Sequence, residues 1–90
     1  TDVPSPDQER SLALYKYDSC PFCMRVMHHV RGLGLEVEMR DIHRDPEARR
    51  QLMTYTGHTQ VPMLLIDDVP MLESADINRW LSAYAKRGEA

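Results

Sequence analysis

The chain has 90 residues, a formal net charge of −3 and a hydrophobic fraction of 42%. That length holds one domain with a modest core and excludes two. The mild negative charge and the absence of a long apolar run speak against nucleic acid and membrane as partners.

Residues 1–10 carry two prolines, four charges and a single aliphatic, Val3, and are expected to form a flexible arm. The domain is expected over 11–87, with residues 88–90 frayed. Ser11 to Tyr17 reads as a strand with Leu12 and Leu14 on one face and Ala13, Tyr15 and Tyr17 on the other. Apolar character on both faces marks a central, doubly covered strand. A helix is expected from Pro21 to about Arg31, because Cys23, Met27 and Val30 fall at i, i+4 and i+7 with Val26 and Leu33 beside them. Gly32 and Gly34 end it.

Leu35 to Ile42 alternates Leu35, Val37 and Met39 with Glu36, Glu38 and Arg40, the pattern of a strand with one wetter face. Asp45-Pro46-Glu47 opens a second helix with a cap, a proline at the first position and an acid in the first turn. Ala48, Leu52 and Tyr55 form its buried stripe, and Gly57 stops it. Val61 to Ile66 is a short apolar strand that Asp67-Asp68 turns into Val69 to Leu72. Pro70 cannot donate to a ladder, which puts that last strand at an edge. Ser74 caps a final helix with Ile77, Trp80, Leu81 and Tyr84 inward and Lys86 and Arg87 at its negative end. The six methionines read mostly as core filling. The order β-α-β-α-β-β-α describes an α/β protein of thioredoxin-like fold. A four-stranded mixed sheet is flanked by three helices, with a parallel β-α-β half joined to an antiparallel hairpin.

Chemistry concentrates in Cys20-Pro21-Phe22-Cys23, which holds both cysteines of the chain. A small secreted scaffold would normally carry about four to eight, so a lone C-x-x-C beside a β-α-β pattern reads as a redox motif of a reducing compartment. No basic segment followed by an apolar stretch marks a secretory signal. Cytoplasm is therefore expected, although a mature periplasmic chain would look similar. A cysteine at a helix start meets unpaired N–H groups and the positive end of the dipole, which favour thiolate over thiol. Pro21 suits the first helical position. With Cys20 as N-cap, Cys23 lies on the same side of the first turn, and the pair can close a disulfide locally. Two cysteines cannot complete a structural zinc site, and neither His28 nor His29 shares a turn with both, so no metal is expected. Arg25 reads as a solvated helix charge, with support of the Cys20 thiolate as the lesser reading. His43 and His58 read as surface or loop residues.

The stretch Tyr15 to Cys23 resembles the active-site segment of the glutaredoxin family. Val61-Pro62 resembles that family's second signature, a valine followed by a cis-proline facing the cysteines. Glu73 to Ile77 matches the third, where the γ-glutamyl end of glutathione is held. The resemblance implies a glutathione-dependent thiol–disulfide oxidoreductase with Cys20 as nucleophile and Cys23 as resolving cysteine. Pro21 and Phe22 would form the active-site loop, and Gln60, Val61, Pro62, Glu73 and Ser74 would hold glutathione. Glutathione would be a co-substrate, with no permanently bound cofactor. The partners would be disulfide-bonded or glutathionylated proteins, met by a monomer. Gln60 and Glu73-Ser74 are more similar to the transferase-like branch and the N-terminal domain of glutathione transferases. The rival expectations are therefore a glutathione-binding or interaction module of such a protein, or an electron donor served by thioredoxin reductase. Tyr17 stands where the family commonly has a lysine for the glycine carboxylate of glutathione, and Lys16 should point to the opposite strand face.

Overall fold

The computed structural model describes residues 3–87. Its elements run β1 (Leu12–Lys16), α1 (Pro21–Leu33), β2 (Glu38–Asp41), α2 (Pro46–Thr56), β3 (Met63–Ile66), β4 (Val69–Met71) and α3 (Ser74–Ala85). The sheet order is β2-β1-β3-β4, with β1 parallel to β2 and the other neighbours antiparallel. Strand β1 is thus interior, and all five of its residues are buried. Its period of two divides it between layers. Leu12 and Leu14 pack with Val26 and Val30 of α1 and with Ile77, Trp80, Leu81 and Tyr84 of α3. Ala13 and Tyr15 pack with Ala48 and Leu52 of α2 on the other face. Edge strand β4 contains Pro70, where a missing N–H leaves no inner ladder bond unmade.

Several local expectations are corrected. Helix α1 continues through Gly32 and ends at Gly34, whose φ of 69° supplies the left-handed cap. The Leu35 N–H then bonds back to the Val30 carbonyl at 3.2 Å. Leu35 therefore belongs to the helix terminus, and β2 starts only at Glu38 rather than at Leu35. Met39 is exposed although its alternation pointed inward, because β2 is the sheet edge and α1 covers it incompletely. Met24 and Met53 are also exposed, each one helical step beside a buried residue, so only part of the methionine set fills the core. Tyr55 lies at the margin of the α2 stripe and sends its hydroxyl to Asp68 Oδ1 at 3.2 Å. The N-cap of α3 is Glu73, at φ 75°, and Ser74 is the first helical residue rather than the cap.

The β3–β4 hairpin forms without a glycine. Asp67 and Asp68 take φ of 47° and 72°, the pair of left-handed residues that a tight two-residue hairpin turn needs. Asp67 also anchors the start of β1, accepting the Ser11 N–H at 2.8 Å and meeting the Arg10 guanidinium at 3.1 Å. The segment read as a flexible arm is hydrogen-bonded to α3 at Trp80 and at Tyr84. Trp80 Nε1 donates to the Pro4 carbonyl at 2.8 Å, and the Arg10 N–H donates to the Tyr84 hydroxyl at 2.9 Å. The expected frayed terminus, 88–90, lies outside the described residues.

Candidate active site

Cys20 ends the turn that leaves β1, with its N–H donating to the Tyr17 carbonyl at 3.2 Å. It is the N-cap of α1, in extended backbone, and Pro21 takes the first helical position. The Cys23 N–H donates to Cys20 Sγ at 3.3 Å. A helix-terminal donor is therefore aimed at the sulfur, an arrangement that receives negative charge building there. Both cysteines are free. Cys20 is 5% exposed and Cys23 is 0% exposed, while Phe22 between them stands 55% exposed.

Burial pushes the Cys23 thiol up to about 12, and its hydrogen bond to Cys20 adds to the rise. Cys23 is thus a thiol at neutral pH. A sign follows for stability. The folded protein holds this proton above the ordinary thiol value of 9.0, so the contribution is complete below that pH and fades as pH rises toward about 12. Urea midpoints of the reduced protein are expected to decline across that window, and less steeply in Cys23→Ser.

The ground beneath the pair is charged. Lys16, 9% exposed, places Nζ 2.8 Å from Asp18 Oδ1 and 3.6 Å from Asp41 Oδ2. Its charge is so committed that its pKa is raised, first by the Asp18 hydrogen bond. Asp41 Oδ1 accepts the His43 N–H at 2.8 Å and the Arg44 N–H at 3.2 Å. The network ties the active-site turn to the β2–α2 loop. Above it, Tyr17 stacks on His43 with ring centroids 4.1 Å apart. Arg25 sits over the Phe22 ring at 5.7 Å, exposed on the outer face of α1.

The candidate binding residues converge. Phe22, Gln60, Val61, Pro62, Leu72, Glu73 and Ser74 line one cleft of about 240 Å³. The Val61–Pro62 peptide is cis. Gln60 is exposed, its N–H donating to His58 Nδ1 at 3.3 Å, so the loop histidine shapes the approach to that bond. Glu73 is exposed at the start of α3 and, with Ser74 of the first turn, lines this cleft. A larger open groove of about 650 Å³ beside β2, lined by Met27, Val30 and Met39 among others, contains none of these residues.

Two features escaped the sequence reading. The Tyr17–His43 stack joins residues 26 positions apart, and nothing local announces it. The buried Lys16 had a signal, since it shares strand parity with Leu12 and Leu14 and so falls on the α1 face.

Comparison with known proteins identifies the family and the fold. The family model described as Glutaredoxin matches residues 12–71. A probable glutaredoxin of Synechocystis sp. is 33% identical over 58 residues, covering 63% of this chain and 66% of that relative. The match thus spans just under two thirds of the relative's length. A glutaredoxin from Archaeoglobus fulgidus superimposes with TM-score 0.66 at 17% identity, covering 84% of this chain and 90% of that one. A glutathione transferase homolog from Drosophila mojavensis, solved with bound glutathione, gives TM-score 0.73 at 21% identity. There the alignment covers 87% of this chain and 37% of the other. These two structural likenesses establish the thioredoxin-like fold.

Proposed function

The chain belongs to the glutaredoxin family, and from that premise we propose that it is a glutathione-dependent thiol–disulfide oxidoreductase acting through Cys20 and Cys23. The observation that carries this reading is a sulfur at a helix N-terminus, met by an N–H donor at 3.3 Å and backed by a fully buried second thiol. In the first step Cys20 sulfur attacks the glutathionyl sulfur of a protein–glutathione mixed disulfide. A Cys20–glutathione disulfide forms and the protein leaves as a thiolate, which takes a proton. A free glutathione then attacks that glutathionyl sulfur, releasing oxidised glutathione and restoring Cys20.

On a protein disulfide, Cys20 would form the mixed disulfide and Cys23 would displace the substrate by closing onto Cys20. Two glutathione molecules would reopen the ring and carry the electrons away. The cleft beside Phe22 would hold the tripeptide, with its backbone along Val61-Pro62. Its γ-glutamyl group would lie at Glu73 and Ser74, and Gln60 at the rim. Glutathione serves here as co-substrate, no resident cofactor is needed, and the protein works as a monomer in the cytoplasm. Gln60 and Glu73 in the cleft favour a second reading, a glutathione-binding module of a transferase-like protein.

The deciding assay follows reduction of a small glutathione mixed disulfide under two electron supplies. Turnover with glutathione and glutathione reductase, and little with thioredoxin reductase, is expected. Turnover with thioredoxin reductase alone would replace the proposal by the electron-donor reading. Binding of glutathione without turnover under either supply would favour the transferase-like module.

A further inference from the structure

Lys16 is the buried charged residue of the described core, and nothing in the cycle above uses it. Its place is set by the strand. Leu12, Leu14 and Lys16 share one face of β1, and the two leucines pack against α1, the helix that carries both cysteines. One step beyond Leu14, that face reaches the first turn of α1, where Cys23 is sealed from solvent. Cys23 lies one helical turn before Val26, on the same buried face of α1 that packs on those leucines. Asp18 on the active-site turn and Asp41 at the end of β2 pair with the ammonium at 2.8 and 3.6 Å. A largely buried ion pair, Lys16 with Asp41, in the layer that holds a buried thiol calls for an account beyond packing, since such a pair adds little net stability by itself.

We propose that Lys16 is a positioning residue for ring closure, its ammonium stabilising the negative charge that Cys23 must carry when it attacks Cys20. The proposal rests on the oxidoreductase reading and names the group that makes its two-cysteine branch work. In that step the Cys23 S–H loses its proton and the sulfur attacks Cys20 of a Cys20–glutathione disulfide. The Cys20–Cys23 bond forms as the bond to glutathione breaks. The departing glutathione thiolate takes up a proton, so none is gained or lost overall, and no outside oxidant or reductant is required.

The charges bearing on the step are Cys20 itself, Lys16, and through Lys16 the carboxylates of Asp18 and Asp41 with Arg44 beside them. Burial opposes the Cys23 anion and the Lys16 charge favours it. Removing the cation therefore makes the anion rarer. If the thiol becomes one pKa unit more basic, about tenfold less thiolate is partly offset by about threefold greater nucleophilicity, leaving closure roughly threefold slower.

The test uses the full chain with glutathione preloaded on Cys20, and reads release of free glutathione against pH for the wild type, Lys16→Met and Lys16→Arg. Closure in Lys16→Met is expected to be at least about threefold slower near neutral pH, with its rise displaced to higher pH by about one unit, and Lys16→Arg is expected to restore most of the rate. Equal rates and an unmoved pH profile in Lys16→Met would overturn the proposal. Equal slowing in Lys16→Met and Lys16→Arg without displacement would also overturn it, showing a packing role. Should Lys16→Met unfold through its unpaired Asp41, the double variant Lys16→Met/Asp41→Asn removes both charges and supplies the same readout. Failure of the wild type to accept glutathione on Cys20 would sink the enzymatic reading itself.

Discussion

Cys20→Ser is expected to lose reduction of glutathione mixed disulfides by on the order of a thousandfold or more, because a hydroxyl cannot replace the thiolate as nucleophile. Cys23→Ser should retain that activity within about twofold, since the glutathione route never requires the second sulfur. Reduction of a protein disulfide should instead collapse in Cys23→Ser. The asymmetry is written in the geometry. Cys20 caps the helix and receives an N–H donor, while Cys23 is fully buried and held as a thiol by its surroundings. Initial rates of both variants on both substrates, at matched glutathione, check the prediction. Comparable losses in the two variants on the glutathione mixed disulfide would mean that the roles are not divided this way.

Leu14→Ala is expected to cost about 3 kcal/mol of folding stability, the usual price of a cavity at a fully buried leucine. Leu14 is 0% exposed, between the sheet's central strand and the layer of α1 and α3. A domain of this length has on the order of 5–13 kcal/mol in total, so one truncation removes a large share of it. The melting temperature should fall by roughly 12–24 °C, read by circular dichroism on the reduced protein. Met39→Ala, at the exposed sheet edge, serves as the contrast and should move it little. Similar shifts for the two would contradict the assignment of core and edge.

The elements that sequence made legible are those with strong local chemistry. Asp45-Pro46-Glu47 announces a helix start, and Asp45 indeed accepts the Glu47 N–H at 3.0 Å. The doubly apolar run from Leu12 to Tyr15 announces a covered interior strand, and β1 lies between two neighbours in the sheet. Elements misread are those whose fate depends on tertiary surroundings. The alternation from Leu35 looks like a strand, yet the terminus of α1 claims the Leu35 N–H, and no residue pattern shows which partner wins. Met39 has the right parity and the wrong cover, because strand order, not strand pattern, decides what an edge leaves bare. Asp67-Asp68 lacks the glycine usually sought at such a turn, and the conformation is supported by bonds to Ser11 and Arg10 more than fifty residues away.

The candidate site follows the same division. The three motifs around Cys20, Val61-Pro62 and Glu73-Ser74 could be read one by one, and the fold gathers the latter two with Phe22 around one cleft. The cap of α3 shifted to Glu73 because the chain enters that helix through a left-handed residue. Lys16 was placed on the correct strand face, but its burial between Asp18 and Asp41 depends on β2 ending beside it, which is a matter of register.

The central claim is that the sulfur at the start of α1 takes glutathione covalently while its buried neighbour does not. Intact-protein and peptide mass analysis of Cys23→Ser and Cys20→Ser, each exposed to a small glutathione mixed disulfide at neutral pH, tests it directly. One glutathione on Cys20 of Cys23→Ser, and none on Cys23 of Cys20→Ser, is the predicted result. Labelling of Cys23 with Cys20 bypassed would contradict it.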